Sequence, residues 1–423
     1  MRGRLDRRFL LKCGGVGVLF AGAALLRPGL VGRKAGRESA LDLGPKRTTP
    51  PPRVDVREAL PELAGRARTT VRLHPRRLAK GETRPAGESK LGGTFLWPAD
   101  EPWPKCTFHE IPWVGVLQLR AADFPELAFR PGTDLLQLLW CPQSGHGDYP
   151  SPEPVLVWRD STKITRPLAE FPRPHLATAA EREDGIRQSA LEHDMNWLSL
   201  FRTNPKYMRQ ITKQYRGMPL PSSGTWLPRS FLARPMGTDA QFEAACREAA
   251  TLLETLKARR HPPLYAEESF LPRPCRLFPE RVVEYPSELT EEERRRLAST
   301  PALKALGPEP LDVYESELGV ADGTKLGGYV RWSQGPREVR CARGHLMAHL
   351  LSIASCEWDA SSRRRWLPAE ERKLYEQMQG LRDWNAVGAL HSPAGMTLGD
   401  AATKYVFICR ECDTWPVKAI MQD

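Results

Sequence analysis

The sequence predicts an α+β protein made of two related strand-rich halves with a helical insertion between them. Three observations carry this. Lys90-Leu91-Gly92-Gly93, followed by Trp97 and Cys106, recurs as Lys325-Leu326-Gly327-Gly328, followed by Trp332 and Cys341. Both copies keep four positions from the second glycine to Trp and nine from Trp to Cys. The residues around each copy run in short apolar stretches bounded by Pro and Gly, whereas residues 175 to 265 are rich in Ala, Glu and Arg at helical spacing. The copies lie much further apart than the roughly 20 to 50 residues of a solenoid repeat, so they read as duplicated half-domains.

In chain order, residues 1–34 read as a leader. Over the first 36 residues Arg2, Arg4, Arg7, Arg8, Lys12, Arg27, Arg33 and Lys34 stand against Asp6 alone, which is +7 of the formal +11 and leaves +4 on the other 387 residues. A basic start, an apolar run from Cys13 to Leu26 and the small residues Ala21-Gly22-Ala23 follow the order of a secretory signal. Arg7-Arg8-Phe9-Leu10-Leu11-Lys12 resembles the twin-arginine motif, with Leu10 where Phe is usual. Export by that route is therefore expected, with the leader either cleaved or retained at the membrane. A mis-assigned start would leave the protein cytoplasmic instead. The apolar run, about 14 residues, is short of the roughly 20 that span a bilayer, so no stable transmembrane segment is expected. With the charge confined to the leader, the basic balance does not point to nucleic acid.

Residues 35–66 read as a linker around Thr48-Thr49-Pro50-Pro51-Pro52. The first half, 67–170, opens with an alternating strand over 69–74 and continues with strand signals at 94–97, 114–119, 135–140 and 155–158. The insertion, 171–265, holds the best helix, 239–259. Its apolar stripe is Phe242, Cys246, Ala249, Leu253 and Leu256, and Thr238 with Gln241 has capping-box spacing. The second half, 266–423, carries a strand at 281–285, a capping box Thr290 to Glu293 opening a helix over 291–299, and strands at 350–354 and 405–409. The paired glycines at 92–93 and 327–328 read as turns needing positive φ or close backbone approach.

The strings Glu88-Ser89-Lys90-Leu91-Gly92-Gly93, Leu135-Leu136-Gln137-Leu138-Leu139-Trp140-Cys141 and Gly395-Met396-Thr397-Leu398-Gly399-Asp400 resemble the YwqG-like family, a domain of unknown function. The stretch from Phe270-Leu271-Pro272 to Val283-Glu284-Tyr285 is similar to its long bacterial members. The resemblance covers roughly residues 69 to 420. It implies an α+β fold of two related halves and no reaction.

Chemistry would sit at the cysteines. Cys341-x3-His345 and Cys409-x2-Cys412 are two short ligand pairs on separate loops, the pattern that a tetrahedral structural Zn²⁺ requires. Packed free thiols and disulfides are the competing readings of the same residues. Long relatives of the resembled family place Cys-x-Cys-Gly at the first pair, where this chain has Cys341-Ala342-Arg343-Gly344, so either His345 replaces the missing ligand or the metal is lost. The first half offers a weaker set, Cys106-x2-His109 with Cys141-x4-His146, read as a second metal site, a Cys106 to Cys141 disulfide or plain packing.

Enzyme signatures are missing from the sequence. There is no Walker A loop, no His-Glu-x-x-His and no Gly-x-Ser-x-Gly. Cys409-x2-Cys412 is followed by Asp413, Trp415 and Pro416, a poor start for the helix that redox pairs use. Glu357, Asp359 and Asp400 are the thin acid-base candidates, and no catalytic residue is assigned. The expected function is an exported, non-catalytic binding protein with a structural zinc and an unknown protein or small-ligand partner. The alternative is an exported metal-dependent hydrolase with a cleft between the halves.

Overall fold

The computed structural model describes residues 44–143, 152–214, 226–259 and 265–422. The leader, its proposed cleavage site, Cys13 and His146 lie outside the described residues. The chain divides into two units. The larger comprises residues up to 105, 112–174 and 267–423, and the smaller comprises 106–111 and 175–266.

Among the described residues, twelve strands make two antiparallel sheets in the larger unit: β1 (Arg68–Arg72), β2 (Arg76–Arg77), β3 (Lys90–Leu91), β4 (Val114–Arg120), β5 (Leu135–Trp140), β6 (Pro154–Arg159), β7 (Cys275–Arg276), β8 (Glu280–Glu284), β9 (Lys325–Gly327), β10 (Ala348–Ala354), β11 (Thr403–Ile408) and β12 (Val417–Gln422). Their orders are β12-β11-β10-β9-β1-β8 and β6-β5-β4-β3-β7-β2. The two orders match position for position, with β9 and β3 carrying the repeated Lys-Leu. Even the irregularities agree, because β4 and β10 are each bulged one residue before the leucine that pairs across, between Gly115 and Leu117 and between His349 and Leu351.

The match includes an exchange. The segment through β1 and β2 gives one strand to each sheet, and so does the segment through β7 and β8. Their sequences repeat as Arg72-Leu73-His74-Pro75-Arg76-Arg77 and Arg276-Leu277-Phe278-Pro279-Glu280-Arg281. In both the proline sits between the two strands, where its missing N–H ends one ladder and lets the chain pass to the other sheet. One apolar core draws on both sheets, with Leu117, Leu119, Leu136 and Leu138 from one and Leu351, Ile353, Val406 and Ile408 from the other.

The paired glycines have positive φ, 62° and 74° at Gly92 and Gly93 and 64° and 68° at Gly327 and Gly328. Close approach adds to this, since a Cβ on Gly92 would lie 2.9 Å from the Pro272 carbonyl oxygen. The lysine that opens each motif is buried on the sheet face. Lys325 forms an ion pair with Glu284 at 2.6 Å, and Lys90 donates to the carbonyls of Pro85, Ala86 and Thr94.

Two expectations are corrected. Residues 94–97 join no ladder, because two glutamine side chains take the place of a neighbouring strand: Leu96 N–H donates to Gln118 Oε1 and its carbonyl accepts from Gln137 Nε2. The described part of the 35–66 linker, from Gly44 on, is packed. Val56, Leu60 and Leu63, at steps of four and three, bury themselves against Tyr285, Leu297 and Tyr314. Arg47 bonds Glu371 at 2.8 Å, and Thr49 bonds Glu280 through its N–H and hydroxyl.

The smaller unit is helical: α1 (Ala179–Thr203), α2 (Pro205–Gln214) and α3 (Asp239–Lys257), with a short turn of helix at Arg229–Leu232. Both bonds of the capping box are present at Thr178 with Glu181 and at Thr238 with Gln241. On α3 Phe242, Ala249, Leu253 and Leu256 are buried with Leu198 and Phe201, while Ala245 is more deeply placed than Cys246. The larger unit adds α4 (Glu291–Ser299), α5 (Arg372–Gly380) and α6 (Trp384–His391). Among the described residues no helix is long and apolar enough to cross a membrane.

Candidate metal centre

Two hairpin tips of the second half carry the candidate ligands. The first tip is tied by Met347 N–H to the Val339 carbonyl, by Cys341 N–H to the His345 carbonyl and by Gly344 N–H to the Cys341 carbonyl. Gly344, at φ 84°, supplies the left-handed turn that brings Cys341 and His345 to one side. The second tip joins β11 to β12. Cys409 N–H donates to the Pro416 carbonyl and Trp415 N–H to the Cys412 carbonyl, so Cys409 and Cys412 face inward. Val330, Val339, Met347, Tyr405 and Phe407 form an apolar wall around the three buried thiols.

The four ligand atoms of Cys341, His345, Cys409 and Cys412 all lie within 4.8 Å of one another. Cys341 Sγ and Cys412 Sγ are 3.8 Å apart, and His345 Nδ1 is 3.7 Å from Cys409 Sγ and 3.4 Å from Cys412 Sγ. Metal–sulfur bonds of about 2.3 Å and metal–nitrogen bonds of about 2.0–2.1 Å at tetrahedral angles give edges of roughly 3.8 Å for S···S and 3.5 Å for S···N. The observed edges fit that figure. They do not fit a disulfide, whose sulfurs sit at about 2.05 Å, and these three cysteines are free.

The electrostatics fit a cation as well. Burial works against charge on Cys341, yet the backbone N–H groups of Arg343 and His345 and the neighbouring thiols outweigh it and hold its thiol below the ordinary value. Cys412 is pushed up to about 11 by burial and by its two cysteine neighbours. A cluster without metal therefore favours one thiolate and resists more, which is the charge pattern that a dication would relieve. His345 Nε2 points toward Glu411, 4.0 Å away, leaving Nδ1 for the cluster.

The weaker set is placed only in part. Cys106 Sγ and His109 Nδ1 are 3.5 Å apart on a tight loop, with both residues buried. Cys141 follows β5 and is also buried, and neither Cys106 nor Cys141 forms a disulfide. Two of the three acid-base candidates, Glu357 and Asp359, have structural partners. Glu357 is buried and accepts from the N–H and hydroxyl of Thr324, and Asp359 accepts from Ser361 and Ser362 at a turn.

Sequence reasoning missed a buried polar group beneath the residue 47–53 segment. Arg72 Nη1 donates to Thr49 Oγ1, and its Nη2 donates to the carbonyls of Glu357 and Trp366. His74, at φ 42°, meets Glu280 at 2.9 Å. Burial and the nearby Arg72 cation drive His74 down to about 4. Burial opposes the Glu280 charge, but bonds from His74 and Thr49 prevail and set it at about 2. Burial raises Glu357 to about 7 despite Thr324 and Arg72. The repeated Arg-Leu-x-Pro of the two crossing segments was the available signal.

No protein-family model matches the chain, and no curated protein is similar to it.

Proposed function

We propose that the protein is an exported, non-catalytic binding protein whose second half is clamped by a structural zinc held by Cys341, His345, Cys409 and Cys412. The observation that carries this reading is the closed set of four chain ligands at tetrahedral spacing. A catalytic zinc keeps a position for water, and here the chain itself fills every position. Three thiolates and one imidazole on hairpin tips suit zinc over the harder cations, which take oxygen ligands. The resemblance to the YwqG-like family supplies the two-half α+β expectation and no activity. The twin-arginine-like leader supplies the destination, and that route carries proteins already folded, so the metal would be loaded before export.

Metal analysis of full-length protein purified without chelator tests the clamp. The expected result is one zinc per chain, lost in the Cys409→Ser/Cys412→Ser double variant. Folded wild-type protein free of metal would sink the reading. Affinity capture from the exported fraction, with the same variant as control, tests the binding role, and turnover in a hydrolase screen with nothing specific captured would favour the enzyme instead.

A further inference from the structure

The exchanged segments interlock the two halves at one end of the sheets, through β1 and β8 in one and β7 and β2 in the other. At the opposite end the edge strands are β12 and β6, and none of the described strands is exchanged there. The halves are bridged at that end by the second metal-binding tip, residues 409–416. Arg410 Nη1 donates to the Ala128 carbonyl at 2.8 Å, and Arg130 Nη2 donates to the Asp413 carbonyl at 2.7 Å, so each side reaches a backbone oxygen of the other. The Trp415 ring has the Arg410 guanidinium 4.6 Å from its centre and the Arg130 guanidinium at 5.7 Å. It meets Trp158 of β6 edge-on at 5.6 Å, and Trp158 in turn meets Phe129 edge-on at 5.4 Å. All three rings are partly buried against the shared core.

The tip that makes these contacts is shaped by its ligands. Residues 409–416 form no helix or strand. Their turn is held by Cys409 N–H to the Pro416 carbonyl and Trp415 N–H to the Cys412 carbonyl, both at 2.9 Å and both anchored on a candidate ligand. Trp415 has φ 50°, a conformation that a bulky side chain rarely adopts and that persists only where the surroundings fix the backbone. A metal joining Cys409 and Cys412 to Cys341 and His345 of the neighbouring tip supplies that fixing, three positions before the tryptophan.

We propose, resting on the zinc reading above, that the metal centre is a clasp between the halves: its occupancy sets the turn that docks Trp415 and Arg410 onto the β4–β5 loop and β6 of the first half. Trp415, Arg410, Arg130 and Trp158 are positioning residues that carry metal occupancy from one half to the other. Linkage makes the effect reciprocal, so contacts made by the first half strengthen metal binding by the factor by which the metal strengthens docking.

The test uses the full chain carrying 5-fluorotryptophan, with Trp158→Phe, Trp366→Phe and Trp415→Phe assigning three fluorine resonances. Removing zinc with a chelator should shift or broaden Trp158 and Trp415, while Trp366, buried and bonded to the Ser316 carbonyl, stays in place. Zinc affinity is then measured by competition with a chromogenic chelator at fixed pH. Arg130→Gln and Trp158→Leu ligate nothing, and each should weaken zinc binding about fivefold. Lys163→Gln, on an exposed first-half side chain, should leave it unchanged. If Trp158→Leu melts early without metal, Arg130→Gln decides alone. Wild-type protein free of zinc overturns the metal reading and this proposal together. Zinc bound with equal affinity in all these proteins, or a Trp158 resonance unmoved by its removal, leaves the metal reading standing and overturns the clasp.

Discussion

Glu357 is the residue whose protonation the fold changes most usefully for experiment. Its carboxyl is buried and titrates near 7 when folded, above its ordinary value of 4.5. The folded state therefore binds the proton more tightly, and this contribution to stability is greatest below about pH 4.5 and is lost as pH rises through 7. His74 works the other way. Its folded value near 4, against 6.5, means that the unfolded chain binds more protons between those values, so stability falls as pH drops from 6.5 toward 4. The two slopes oppose each other in the wild type. Glu357→Gln should remove the first and keep the Thr324 bonds, giving a melting temperature that rises more steeply from pH 5 to 7 than in the parent. Parallel melting curves for the two proteins across that range would refute the assignment. Residues of this kind were not legible in advance, because a histidine and an arginine in an alternating strand read as its solvated side. The gathering of Cys341, His345, Cys409 and Cys412 was legible, since two short Cys/His pairs need only local loop geometry to face inward.

Local chemistry governs single elements, and there the sequence was read most fully. α3 and α4 begin where Thr238 and Thr290 have a Gln or Glu three positions on, and both boxes are closed by two bonds. Thr238→Ala removes the hydroxyl that accepts from Gln241 N–H and should cost about 1 kcal/mol, measured by urea unfolding. Thr238→Ser should cost much less, and equal losses from both would mean that the hydroxyl is not what caps α3. β10 allows a larger test. Leu351 is completely buried in the core shared by the two sheets, so Leu351→Ala should cost about 2–5 kcal/mol. Elements that depend on distant partners escaped sequence reading. Phe95 and Trp97 have strand-like composition and burial, but the ladder they would join is supplied by Gln118 and Gln137 side chains. The Val56, Leu60 and Leu63 stripe was obscured by the prolines upstream of it.

For the molecule as a whole, the duplication was legible from the two Lys-Leu-Gly-Gly copies, but the exchange of strands was not, because pairing between residues some 200 positions apart leaves no local trace. That exchange has a consequence for cutting the chain. The repeat invites division into residues 67–170 and 266–423, yet neither piece holds a complete sheet. In the first piece β3 would lose β7, its neighbour on one side, and β2 would lose its only partner. In the second, β9 and β8 would both lose β1, which lies between them. Each piece would expose an unpaired edge in mid-sheet and half of a shared apolar core. Expressed alone, each should be insoluble or show poor amide dispersion, and expressed together they should form a soluble one-to-one complex that melts in a single transition. Two separately soluble, well-dispersed fragments would mean that the halves are independent domains and that the crossing segments do not hold them together.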